Sequence, residues 1–118
     1  KDIKTITYAF PYAGGQTPLR PGDKVKIGTF NPGTTIGLVL LKHAWNATTK
    51  TLDNKAVHFC YNDILNPEVD PKLKKHVVLV NYNAENKILI GFEDVDRTTP
   101  GCDNDFDDVV LYATIKKQ

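Results

Sequence analysis

Apolar and polar residues alternate along much of this chain, and no stretch repeats its apolar positions at the three-and-four spacing of a convincing amphipathic helix. In Ile3–Phe10, Ile6, Tyr8 and Phe10 fall on one side and Thr5 and Thr7 on the other, which predicts a half-buried strand ending at Pro11. Pro11–Gly22 holds three glycines and three prolines and predicts a long turn. Lys24–Phe30 then places Val25 and Ile27 on one face of a second strand, and Asn31-Pro32-Gly33 turns the chain. Thr34–Trp45 contains the strongest apolar run, IGLVLL at 36–41, which predicts a central strand covered on both faces. Gly37 and the Thr34-Thr35 pair disfavour a short buried helix there.

Asn46–Lys55 is polar and predicts a hairpin-like connection into Ala56–Asn62, where Val57, Phe59 and Tyr61 alternate with His58 and Cys60. Asp63–Lys74, with Pro67 and Pro71 and no periodicity, predicts an ordered loop carrying Asp63, Asn66 and Glu68, with Asn62 at its entrance. His76–Tyr82 and Lys87–Phe92 predict two strands joined by a turn at Asn83–Asn86, and Val109–Ile115 predicts the last strand. Seven short strands with turn chemistry between them imply an all-β fold, an antiparallel β-sandwich with a jelly roll among its possible closures. A length of 118 residues suits one domain spanning 1–118.

Charge changes this picture at one place. Between Glu93 and Asp108 lie Glu93, Asp94, Asp96, Asp103, Asp105, Asp107 and Asp108, half of the chain's 14 acids, with Arg97 as the only cation among them. Like charges this close repel one another in a partly dehydrated site, and a bound cation is the usual means of keeping them together. All the donors are oxygens and no histidine lies in the segment, which favours a hard ion, calcium, over zinc or copper. Asp103, Asp105 and Asp107 open like an EF-hand loop, but Asp108 stands where the glycine belongs and Thr114 where the closing glutamate belongs, so the segment is not an EF-hand. Phe106, set between the alternating acids, is expected to be buried, which a merely solvated acidic loop would not require. Both halves of the loop hang from predicted strands, a rigid support for ligating groups.

The same residues carry a resemblance. GFEDV at 91–95 and DNDFDDVV at 103–110, with IGLVLLKHAWN at 36–46, YNDILNPE at 61–68 and HVVLV at 76–80, resemble the bacterial cell-surface family catalogued as domain of unknown function 4114, over about residues 30–115. The family's glycine-rich spacer is replaced here by Asp96–Cys102, and Asp107 stands where the family usually has asparagine. The resemblance implies a calcium-binding β-domain of large secreted or surface-anchored proteins, adhesins among them, some of which capture peptides or other surface ligands. Glu93 and Asp94 match its first pair of acids, and Asp103, Asp105 and Asp108 match the acids of its second motif. Asp107 adds a charge to that set.

Three functional classes follow. The first is a calcium-dependent module of an extracellular or cell-surface bacterial protein, capturing a peptide or glycan, with Asn62, Asp63, Asn66, Arg97 and Thr98 facing the ligand. The second is a structural module in which calcium only stiffens a larger multidomain chain. The third, a hydrolase using paired carboxylates, is disfavoured because Glu93 and Asp94 alternate in direction on an extended chain, so no enzyme is expected. The near-balanced charge, formally +1, gives no reason to expect nucleic-acid binding, and no apolar run approaches the roughly 20 residues of a membrane helix. A start at Lys1 and the lack of methionine fit a processed chain or a domain cut from a longer one. His43, His58 and His76 lie on separate strands without ligand spacing and are expected to be satisfied sheet or surface residues. Trp45 either caps the core or stacks on a ligand. Cys60 and Cys102 are compatible with one disulfide or with two buried thiols; in an oxidising compartment a bond is expected, tying the spacer to the Ala56–Asn62 strand.

Overall fold

The computed structural model describes residues 7–10 and 19–116. The described chain is all-β and antiparallel. Its strands are β1 (Val39–Leu41), β2 (Trp45–Asn46), β3 (Thr51–Leu52), β4 (His58–Cys60), β5 (Val77–Tyr82), β6 (Lys87–Phe92) and β7 (Val109–Thr114). They form three separate sheets: β1 with β4, β2 with β3, and the meander β5-β6-β7. The only helical pieces among the described residues are single 3-10 turns at Asp63–Leu65 and Asn83–Glu85. No helix among them is long and apolar enough to cross a membrane.

The chain divides into two compact units, one comprising residues 1–35 and 44–55, the other 36–43 and 56–118. In the first, Trp45 pairs with Leu52 and Asn46 with Thr51. The turn between them is held by Asn46 Oδ1, which accepts from the backbone N–H of Thr48 and of Thr49. The polar Asn46–Lys55 segment therefore makes the hairpin its composition predicts. Lys24–Phe30, by contrast, forms no strand, and Val25 and Ile27 stay 43% and 42% exposed. Alternation alone does not make a strand, because unpaired backbone groups gain nothing over water until a neighbour supplies a ladder. Residues 7–10 of the expected first strand are likewise outside any ladder, while 1–6 and 11–18 lie outside the described residues.

The second unit is built on the β5-β6-β7 meander. Val77 to Tyr82 pairs in register with Phe92 to Lys87, which pairs in turn with Val109 to Thr114. The turn between β5 and β6 closes through Asn86 in the left-handed conformation (φ 51°), which asparagine tolerates better than most residues. Two expectations are corrected here. The IGLVLL run is not a doubly covered central strand: among the described residues its strand is Val39–Leu41, paired with β4, and Ile36 and Val39 remain about half exposed. The ring of Tyr61 occupies the space a side chain at Gly37 would need, and His43, left-handed at φ 53°, turns the chain out of β1 before Trp45. The Ala56–Asn62 strand is likewise cut back to His58–Cys60.

The interior of this unit is half polar: Phe59, Cys60, Ile90 and Phe92 are buried together with Asn66, Glu68, His76 and Glu93. Asn66 stands in for a missing strand. Its Oδ1 accepts from Cys60 N–H at 2.7 Å, and its Nδ2 donates to Cys60 C=O at 2.9 Å and to Lys74 C=O at 2.6 Å. The loop expected at 63–74 is thus pinned to the end of β4 by one buried amide. The imidazole of His76 stacks on Phe59, ring centres 4.3 Å apart.

Gly91 lies opposite Val78 and Val110 on one face of the meander, and the backbone of Phe106 packs directly against it. A Cβ at Gly91 would collide with the Phe106 carbonyl oxygen. Gly91→Ala is expected to lower stability by about 1 to 3 kcal/mol, the usual cost of overpacking a close contact. A drop in the urea midpoint at unchanged slope would show it, and an unchanged midpoint would mean that the loop yields freely.

Candidate metal centre

Glu93 prolongs β6 by one residue, its N–H donating to His76 C=O at 3.0 Å. An extended chain sends successive side chains to opposite sides, so Glu93 turns inward, 1% exposed, while Asp94 points away. Among the described residues the buried carboxylate accepts from Cys102 Sγ–H at Oε1, 3.3 Å, and from Phe106 N–H at Oε2, at a long 3.4 Å. Burial pushes the Glu93 carboxyl above its ordinary value, and the negative charge of Asp108 pushes the same way.

The loop then folds back over this carboxylate. Thr99 N–H donates to Asp96 C=O and Cys102 N–H to Thr99 C=O, and Gly101 takes φ 98°. Asn104 and Phe106 both adopt the left-handed region, at φ 58° and 59°. For asparagine this is common; for a bulky phenylalanine it is rare and must be held by its surroundings. Carboxylate oxygens of Glu93, Asp103 and Asp105 come within 4.8 Å of one another, one buried and two exposed. These three residues can hold a metal ion. The donor set fits a hard cation, since it is all oxygen and its buried member is charged at neutral pH only against the cost of desolvation.

The other acids of the segment are engaged elsewhere. Asp94 Oδ1 pairs with Lys42 Nζ at 3.2 Å, and the same ammonium donates to Asp94 C=O at 2.9 Å. Asp108 Oδ2 accepts from Asp94 N–H at 2.8 Å. Asp96 accepts from both the hydroxyl and the N–H of Thr98, which holds its carboxyl below the ordinary value. Asp107 adjoins the cluster: hydrogen bonding and charge from Asp105 raise its carboxyl. Of the six acids expected as ligands, the fold therefore converges three, leaves Asp107 and Asp108 beside them, the latter also holding Asp94 N–H, and gives Asp94 another partner.

The residues expected to face a ligand are placed differently again. Asn66 is buried and fully committed to the backbone of Cys60 and Lys74. Asn62 Oδ1 accepts from Ile64 N–H and caps the 3-10 turn. Asp63 is half-buried, 3.9 Å from Lys75 Nζ. Thr98 is bound to Asp96. Arg97 reaches inward: Nε donates to Asn104 Oδ1 at 2.7 Å, Nη1 faces the carbonyls of Lys72, Leu73 and Lys75, and the guanidinium lies over the Phe106 ring. Phe106 itself is half-buried rather than buried. Cys60 and Cys102 are free thiols, against the expected bond: Cys102 donates to Glu93, Cys60 Sγ accepts from Asn62 N–H, and burial raises the Cys102 thiol.

One arrangement is absent from the expectations. Glu68 and His76 are both fully buried, with His76 Nε2 2.6 Å from Glu68 Oε1 and His76 Nδ1 2.9 Å from Glu93 C=O. His76 is indeed a satisfied histidine, as expected, but its partners tie it to the cluster. The signal was present in the segments carrying the resemblance, which place Glu68 after Asn66-Pro67 and His76 at the head of β5.

The family described as Domain of unknown function (DUF4114) matches residues 30–116. No curated protein and no solved structure matches the chain.

A pH dependence follows from the raised carboxyl of Glu93. The folded chain takes up this proton at a higher pH than the unfolded chain, so stability of the metal-free protein rises as pH falls from neutrality towards the ordinary value of 4.5. Asp96, held low, acts oppositely: its contribution is lost as pH falls below its ordinary 3.8. Urea unfolding in chelator at stepped pH is expected to show the rise, and Glu93→Gln to flatten it. Parallel profiles for the two proteins would contradict the assignment.

Proposed function

The chain belongs to the family described as Domain of unknown function (DUF4114), and from that footing we propose that it is a calcium-dependent ligand-binding module of a secreted or surface-anchored bacterial protein. The observation that carries this reading is the meeting of Glu93, Asp103 and Asp105 within 4.8 Å, with one carboxylate buried and two at the surface. Calcium takes about 6 to 8 oxygen ligands, more than three side chains supply, and tolerates irregular geometry. The remainder would come from backbone carbonyls, water, Asp107 and an incoming oxygen. A peptide's terminal carboxylate or the vicinal hydroxyls of a sugar has that chemistry. The three acids point at one place rather than flanking a bond, which supports binding over hydrolysis.

A second reading has its own support. Asn66, Arg97 and Thr98 are spent on the protein itself, so the rim offers a ligand fewer free groups than expected. That favours calcium as a brace of the loop within a larger chain.

Calorimetric titration of chelated protein is expected to show calcium binding that Asp103→Ala and Asp105→Ala abolish in folded samples. Saturating calcium at a hundredfold excess over the dissociation constant is expected to stabilise by about 2.7 kcal/mol. Magnesium, which demands octahedral geometry and gives up water reluctantly, is expected to do less. Identical melting curves in calcium and chelator would end the calcium reading. Peptide and glycan libraries screened with calcium and with chelator separate the two roles: calcium-dependent hits support capture, and their absence leaves the brace.

A further inference from the structure

Glu68 and His76 form a hydrogen-bonded pair whose side chains have no exposure at all, and Glu68 Oε2 is buried without a hydrogen-bond partner among the described residues. Leaving a buried carboxylate oxygen unpaired is costly, and buried ion pairs of this kind are often no more stabilising than apolar residues of the same volume. The contacts of the pair, however, all lead to the acidic loop. His76 holds the backbone of Glu93 on both sides, its C=O accepting Glu93 N–H and its Nδ1–H donating to Glu93 C=O. The carbonyl can only accept, so the Nδ1 proton is fixed and Nε2 faces Glu68. Glu68 Oε1 also accepts from Arg97 N–H at 2.9 Å. The Glu93–Arg97 segment is thereby gripped at both ends from one buried point.

The grip continues outward. Arg97, its backbone held by Glu68, carries its guanidinium to Asn104, the residue between Asp103 and Asp105, and lays it over Phe106. One arm thus leads to the buried carboxylate of the cluster and the other to the two exposed ones. We propose that the buried Glu68–His76 pair is the positioning element of the metal centre, setting Glu93 directly and Asp103 and Asp105 through Arg97. This rests on the metal-binding reading and deepens it: Glu68 and His76 do not touch the ion, and they determine where its ligands stand.

The experiment compares the wild type with His76→Phe, which keeps a ring against Phe59 but removes both ring nitrogens, and with the double variant Glu68→Leu/His76→Phe, which removes both members of the buried pair together. The double variant guards against a single variant that fails to fold. Three quantities are read: metal-free melting temperature, calcium affinity well below melting, and the luminescence lifetime of bound terbium in light and heavy water, which counts the waters on the ion. The expected result is a double variant that melts in chelator close to the wild type, binds calcium about 10 to 100-fold more weakly, as loss of outer-shell partners does at other metal sites, and carries more water on terbium. A folded double variant with wild-type affinity and an unchanged water count would overturn the positioning role. Failure of the wild type to take up calcium or terbium would overturn the metal reading itself, an outcome visible before any variant is made.

Discussion

Mutual repulsion among crowded carboxylates is the constraint on which the rest of this structure depends. Seven acids in one short segment cannot all face one point, and the fold relieves three of them locally. Asp94 is set against Lys42, Asp96 against the Thr98 hydroxyl, and Asp108 against a backbone N–H. What remains is the trio Glu93, Asp103 and Asp105, with Asp107 beside it. Their approach is imposed from outside by strand direction at Glu93 and by two left-handed residues at Asn104 and Phe106. The close approach of like charges against their preference is the physical reason that this group could hold a cation.

The meander was legible in the sequence because three signals agreed over it: alternation in β5, β6 and β7, an asparagine-rich turn between the first two, and apolar content enough for one covered face. The segments before it show where such reading stops. Lys24–Phe30 has the right period but no partner strand among the described residues, and partnership is a property of the whole chain. The 36–41 run is apolar enough for a central strand, yet the Tyr61 ring seated where Gly37 lacks a side chain and the turn at His43 cut its pairing to three residues. Neither contact is written in the local pattern.

At the site, composition identified the segment and the strand period separated Glu93 from Asp94, but convergence of Glu93 with Asp103 and Asp105 depended on a phenylalanine in a conformation that no propensity would assign to it. The ligand-facing residues were misplaced for a related reason. Asn62, Asn66, Thr98 and Arg97 are good hydrogen-bonding groups, and a half-polar interior without enough strands uses such groups to satisfy its own backbone first. Asn66, which does the work of a strand at the end of β4, is the plainest instance.

Phe106 ties three distant positions into one unit. Its carbonyl occupies the space left by Gly91, its ring lies beneath Arg97, and it takes a left-handed φ of 59°. Over evolutionary time positions 91, 97 and 106 are therefore free to drift only in concert. A side chain acquired at 91 displaces the loop, loss of the guanidinium leaves the strained ring without its cover, and a glycine at 106 would relieve the strain while removing one of the contacts that Arg97 makes. Among aligned descendants of such a chain, covariation at these three sites, more than constancy of the acids themselves, would mark the lineages that kept this loop.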